Sequence, residues 1–290
     1  MNKVGKGVSL NFCLEKIIEY WICLIIFLIP AYIFSFKIWL IPTNPLEILI
    51  GVLFIFWFFL NFRELPKIAK GVFKNRFFLP IFLIFLGITL STIFSADIKT
   101  SAGIWKGWFV VPLLFFIVVA NETKNKKQSK NIVLSLFFSG VGVALISLFY
   151  FFSNNLTYDG RLSGFYISPN YLAMYLSPVL ILSLWLYFCL EKRLFKVFLF
   201  IGQCLLLATV FLTYSYSAWA GLAAALFFIS VFQKLSSRNS VSGWKPSFCV
   251  LLIIISFFFS QINSLKFQEL LDFSYPSLSS RLAIWQSAGE

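Results

Sequence analysis

The chain contains no histidine and is poor in charge. Of its 290 residues, 24 are Lys or Arg and 11 are Asp or Glu, a charged share of 12 %. That is half of the roughly 25 % carried by a soluble domain. Without histidine the H-E-x-x-H zinc helix is impossible, and no Rossmann glycine pattern or Walker loop occurs. The five cysteines (Cys13, Cys23, Cys189, Cys204 and Cys249) are odd in number and have no close partner. They lie within apolar runs or at their ends, so they form neither a disulfide framework nor a zinc spacing. They read as small packing residues. Low-complexity tracts and internal repeats are absent.

What fills the sequence instead is hydrocarbon. Apolar residues make up 60 % and aromatics 20 %, with 38 Phe and 9 Trp. One globular core cannot hide that much apolar surface, which excludes a soluble enzyme, a disordered chain and a small disulfide-stapled module. A helix crossing about 30 Å of hydrocarbon needs about 20 mostly apolar residues. Nine such runs are expected, at 20–41, 46–62, 77–94, 104–120, 132–152, 171–190, 194–213, 218–232 and 247–262. The fold class is therefore an all-α polytopic transmembrane bundle of about nine spans. The first run follows Lys3, Lys6 and Lys16 but is longer than a signal-peptide core and lacks a cleavage site, so it reads as a retained anchor.

Charge orients the bundle. The outer side keeps Lys37, Lys99, Lys106, Arg161, Lys266 and Arg281; every other Lys and Arg falls in the N-terminus or the alternate loops, or in Lys196 just inside the seventh run. Short cytoplasmic loops accumulate cations, so the N-terminus is placed in the cytoplasm. Residues 1–262 form the transmembrane domain, and 263–290 begin an outer loop. The net charge of +13 is thus a topology signal that also touches anionic membrane lipid, not a nucleic-acid footprint. Most runs carry no ionisable residue near their middle, which weighs against an ion-driven transporter.

Two arginines lack a topological excuse. Arg161 lies in Asp159-Gly160-Arg161-Leu162-Ser163-Gly164, shortly before Ser168-Pro169-Asn170. Ser168 followed by Pro169 reads as an N-cap with proline at the first helical position. Gly160 and Gly164 permit tight backbone around the arginine. The sixth span would then point its free N–H groups outward, an anion site to which Arg161 adds a planar fork. An interfacial loop with a snorkelling arginine is the plain alternative. Arg281 stands in Ser279-Ser280-Arg281, near the start of an amphipathic segment with Leu278, Leu282 and Trp285 on one face; an interfacial helix is its plain alternative. The turn Tyr214-Ser215-Tyr216-Ser217 separates the seventh and eighth runs and fits an aromatic belt.

In order, spacing and side, these segments resemble the O-antigen ligase and O-antigen polymerase family of bacterial envelope glycosyltransferases. An R-x-x-G…P-N-x-x-A element matches Arg161, Gly164, Pro169, Asn170 and Ala173; S-R-[GS]-A-W matches Ser215, Ser217, Ala218 and Trp219; S-R-x-x-x-W matches Ser280, Arg281 and Trp285. The stretch from Pro42 to Trp57, with Pro45-Leu46-Glu47, also looks like the family's second span. The resemblance implies glycan transfer from undecaprenyl pyrophosphate to lipid A–core, or to another lipid-linked repeat, at the outer face of the inner membrane. It implies no metal or other cofactor. Arg161 and Arg281 would be the catalytic residues, and Ser168, Asn170, Tyr216 and Trp285 would bind substrate. Two departures stand out. Tyr216 replaces the family's arginine in the middle motif, and the histidine the family associates with catalysis is missing. The resemblance therefore implies that the chain lacks the family's C-terminal part. A lipid-linked-sugar transporter and a non-catalytic membrane fragment remain as alternatives.

Overall fold

The computed structural model describes residues 3–38, 41–236 and 283–287. The chain divides into two compact units, residues 1–139 and 140–290. The expected ninth run and Arg281 lie outside the described residues.

In the first unit, α1 runs from Lys3 to Phe27. The apolar run expected as one span over 20–41 does not continue as a helix. Pro30 lacks the N–H that would extend the ladder, and a short 3₁₀ turn, Ile29–Ile33, takes over. An antiparallel hairpin follows, β1 (Phe36–Ile38) with β2 (Ile41–Thr43), in which Lys37 faces Pro42. Helix α2, Pro45–Leu60, starts under the Asn44 cap, whose Oδ1 accepts from the Glu47 N–H at 3.0 Å. The chain bends by 69° after it and continues as α3 (Leu65–Lys74) and α4 (Phe78–Ile93). Asp97 then caps α5 (Ile98–Ile104), accepting from the Thr100 N–H at 3.1 Å. These bonds, from the Thr100 hydroxyl first, hold the exposed Asp97 carboxyl below the ordinary aspartate range. A π-helical stretch, Trp105–Val110, joins α5 to α6 (Val111–Glu122).

The core of this unit is an apolar stripe at helical spacing. Ile18, Ile22, Ile25 and Ile26 of α1 pack with Ile50, Leu53 and Trp57 of α2 and Val118 of α6. At one end the buried Trp57 donates its indole N–H to Glu122 Oε1 at 2.9 Å. There too the Lys16 ammonium donates to Glu19 at 2.6 Å, and the Asn131 amide donates to the other Glu19 oxygen at 2.8 Å. Lys16 first, then Asn131, hold the Glu19 carboxyl below the ordinary glutamate range against the opposing effect of burial. The Trp57 indole and the Glu19 carboxylate are thus paired, as low-dielectric surroundings demand, whereas the buried Trp21 indole N–H in the same core has no hydrogen-bond partner among the described residues.

Helix α7, Lys126–Phe152, leads into the second unit. There α8 (Pro169–Cys189), α9 (Arg193–Leu212) and α10 (Tyr216–Ser236) run back and forth. Gly140 of α7 lets the helices approach closely: a Cβ there would lie 2.7 Å from Val179 Cγ1. Between α8 and α9 the buried Gln203 amide donates to Ser183 Oγ at 3.1 Å, a polar tie inside an apolar contact.

Among the described residues four helices are long and apolar enough to cross a membrane: Ile98–Glu122, Lys126–Phe152, Pro169–Cys189 and Arg193–Leu212. The bent pair after Pro45 passes the same test when taken together, whereas Phe78–Ile93 and Tyr216–Val231 are apolar but shorter. The protein is a helical membrane protein. The turn expected between the seventh and eighth runs is present as a break, with Tyr214 at φ 47° and the Ser215 carbonyl accepting from the Ala218 and Trp219 N–H groups.

Candidate functional site

The loop between α7 and α8 is built to hold one arginine. Its turn closes where the Gly160 N–H donates to the Thr157 carbonyl at 2.9 Å, with Gly160 at φ 71°. Asp159 sits inside that turn. Thr157 then clamps the Arg161 backbone from both sides: its N–H donates to the Arg161 carbonyl at 3.0 Å, and its hydroxyl oxygen accepts from the Arg161 N–H at 3.1 Å. One residue on, the Leu162 N–H donates to the Leu212 carbonyl at 3.0 Å, which ties the loop to the end of α9. Gly164 has φ 57°, and any Cβ there would run into the Ser147 side chain. The position therefore excludes a side chain both by conformation and by space. Ser147 is fully buried, and its hydroxyl has no hydrogen-bond partner.

Ser168 caps α8 as the sequence predicts. It is extended (φ −140°, ψ 142°), its Oγ accepts from the Asn170 N–H at 3.3 Å, and Pro169 occupies the first turn. The cap spends one of the helix's free N–H groups and sets the Asn170 side chain toward the loop.

Arg161 is 7 % exposed. Its Nε donates to the Thr213 carbonyl at 2.8 Å, and its Nη2 donates to Asn170 Oδ1 at 2.9 Å. Nη1 lies 3.6 Å from Asp159 Oδ2. Each partner comes from a different place: the loop, the start of α8 and the turn after α9. The carbonyl of Thr213 closes the C-terminal end of α9, where the helix dipole favours a cation. The positive end of α8 is less welcoming, and the Asn170 oxygen interposes an acceptor there. A buried charge needs such pairing, because leaving it bare costs several kcal/mol.

The expected site residues divide three ways. Arg161 and Asn170 are in direct contact, and Ser168 joins them through the Asn170 backbone. Tyr216 is half-buried at the first position of α10, three residues past Thr213. Trp285 is exposed in the helical stretch 283–287, and among the described residues no hydrogen bond or ring contact joins it to the Arg161 cluster. The expected partnership of Arg161 with Arg281 lies outside the described residues. Thr213 escaped the sequence reading because its contribution is a backbone carbonyl, which any residue type could supply.

One helical turn along α8 from Asn170 begins an apolar hollow of about 640 Å³ between α8 and α10, lined by Met174, Ser177, Pro178 and Ile181 on one wall and Ala218 and Leu222 on the other. Pro178 interrupts the α8 ladder there. The second unit therefore holds a buried, hydrogen-bonded cation at the start of α8 and, from Met174 onward, a slot suited to hydrocarbon. Two of the three guanidinium contacts are short and well aligned. The Asp159 contact is the longest. Among the described residues no group of three or more Cys, Asp or Glu converges as a metal site would require.

No protein-family model matches the chain, and comparison with curated proteins and with solved structures finds no match either.

Proposed function

We propose that this membrane protein is a glycosyltransferase of the O-antigen ligase and polymerase type, or the membrane part of one. It sits in a bacterial inner membrane with about nine spans, an inward N-terminus and the Arg161 loop on the outer side. Its donor is a glycan on undecaprenyl pyrophosphate. Its acceptor is lipid A–core or a second lipid-linked repeat.

The observation that carries this reading is the Arg161 junction at the start of α8, with an apolar hollow between α8 and α10 that begins one helical turn further along α8, at Met174. A polyprenyl pyrophosphate has the same division, a dianionic head on a long hydrocarbon tail. In the transfer step an acceptor hydroxyl oxygen attacks the anomeric carbon, the carbon–oxygen bond to pyrophosphate breaks, and the hydroxyl proton passes to water or to the departing pyrophosphate. Negative charge grows on the leaving group, where a preoriented guanidinium is most useful. Arg161 would meet that charge by exchanging Asp159 for a phosphate oxygen, while Asn170 and Thr213 keep its plane fixed. Arg281 would supply the second cation.

The test is glycan transfer from the lipid-linked donor in proteoliposomes. Arg161→Ala and Arg281→Ala should each lower the rate by about 10²–10³. Transfer at the unaltered rate by both variants rules the assignment out. The ion pair of Arg161 with Asp159 favours a second reading, a non-catalytic membrane scaffold in which the arginine only braces the fold. That reading expects no bond formation with any lipid-linked donor, although the protein folds and inserts.

A further inference from the structure

Helix α2 has 16 residues, which at about 1.5 Å each cover about 24 Å, most of a hydrocarbon core. It ends at Asn61, whose side-chain amide donates to the Trp57 carbonyl at 3.0 Å. A 3₁₀ turn, Phe62–Glu64, follows, and Pro66 in the first turn of α3 has no N–H with which to carry the ladder on. The chain turns by 69° instead of continuing. From this point charge of one sign accumulates. Arg63, Lys67, Lys70, Lys74 and Arg76 stand with a single acid among them, Glu64.

Helix α3 sorts this charge. Leu65, Ile68 and Val72 repeat at i, i+3 and i+7, and Lys67, Lys70 and Lys74 repeat at the same spacing two residues later. Two residues turn an α-helix by about 200°, so the two stripes lie on opposite faces. Leu65 and Ile68 pack against the apolar core of the unit, whereas Val72, one turn further, is 40 % exposed. Phe62 and Phe77, just beyond the two ends, are exposed as well. The three lysines are exposed, and among the described residues no carboxylate pairs with them or with Arg63 and Arg76. Residues 123–131 make the contrast. They carry Lys124, Lys126, Lys127 and Lys130 but no apolar residue with which to seat a helix in a bilayer.

A cationic stripe without acidic partners, on a helix whose other face is apolar, is complementary to the surface of a bilayer that contains anionic lipid. Water alone would hydrate the lysines but leave Phe62, Val72 and Phe77 uncovered. Continuation into hydrocarbon, as the second half of a broken span, would strip three ammoniums of water. At the membrane surface both demands are met: Val72 and the two rings reach the acyl boundary, and the ammoniums stay at headgroup level. We infer that α3 is an interfacial helix that recruits anionic lipid, with Lys67, Lys70 and Lys74 receiving the headgroups. Phosphatidylglycerol has this chemistry. The inference stands on the first unit alone and does not depend on the proposed transfer reaction.

The experiment is native mass spectrometry of the whole chain in detergent, titrated separately with dioleoyl phosphatidylglycerol and dioleoyl phosphatidylcholine. Both lipids carry the same chains and a phosphate, so the comparison reads net headgroup charge. Each lysine near an anionic surface is worth about fivefold, so the unaltered chain should retain phosphatidylglycerol at least about tenfold more strongly. The triple variant Lys67→Gln, Lys70→Gln, Lys74→Gln should bring the two lipids to within about twofold of each other. A second triple variant, Lys124→Gln, Lys126→Gln, Lys127→Gln, removes as much charge and should keep most of the preference. All six side chains are exposed, so neither set disturbs the packing. Equal retention of the two lipids by the unaltered chain would make α3 a merely hydrated face and overturn the inference. An undiminished preference in the α3 variant, or the same fall in both triple variants, would overturn it too, the last because net charge alone would then set the preference.

Discussion

The guanidinium of Arg161 holds the side-chain oxygen of Asn170 at 2.9 Å, nine residues along the chain and across the start of a helix. This contact joins the loop before α8 to the helix itself. Arg161→Ala leaves the Thr213 carbonyl and the Asn170 amide without their donor and should cost about 3 kcal/mol. Arg161→Lys should recover little, because an ammonium cannot reach divergent acceptors as a planar fork does. A double-mutant cycle with Asn170→Ala, read by thermal unfolding in detergent, should give a coupling of about 1–3 kcal/mol. Additive losses would mean the bond does not form.

Gly164 makes a separable demand. Gly164→Ala forces a side chain into φ 57° and against Ser147, at a cost of about 1–3 kcal/mol. Ser147→Gly in the same protein should recover the steric part and leave the conformational part. Thermal unfolding of the single and double variants distinguishes the two contributions.

The Trp57 indole tests the first unit. Glu122→Ala leaves a buried N–H without an acceptor and should destabilise by about 1–3 kcal/mol. Glu122→Gln keeps a carbonyl oxygen in place and should cost markedly less. Equal losses in the two variants would show that Trp57 does not depend on this bond.

Glu19 gives the pH dependence its sign. Its carboxyl is held below the ordinary glutamate value, chiefly by Lys16, so the folded chain takes up this proton less readily than the unfolded one. The stabilisation is fully present above the ordinary glutamate value. It is lost as pH falls through the lower, folded value. Melting temperature followed from neutral into acidic buffer should fall less steeply in Glu19→Gln than in the unaltered chain.

Much of this was legible in the residues. Ser168 and Pro169 announced the start of α8, since a hydroxyl acceptor followed by a residue without an N–H suits only that position. Gly160 and Gly164 marked two backbone positions with positive φ. The Tyr214–Ser217 break was visible as a polar interruption between apolar runs. The first run misled because hydropathy counts apolar side chains without asking whether the backbone can stay helical past Pro30. The partners of Arg161 were only half legible. Asn170 was singled out as a side chain, but nothing in a sequence marks the Thr213 carbonyl. Glu47 and Lys106 are 59 positions apart by number, and only the tertiary fold brings them to 2.8 Å.

The wide turn at Trp105–Val110 has a genetic corollary. A π-bulge houses one surplus peptide unit, so a single-codon deletion there would convert it to ordinary α geometry without shortening the gap it bridges. Because the bulge already takes up that unit, the helix on either side would keep its rotational phase. Trp105 would keep Thr89, its present partner at 3.0 Å, when the deleted residue lies after it. A frame-preserving loss of three bases within residues 106–110 is thus predicted to be tolerated, whereas the same loss within α6 would turn one part of that helix by about 100° against the other.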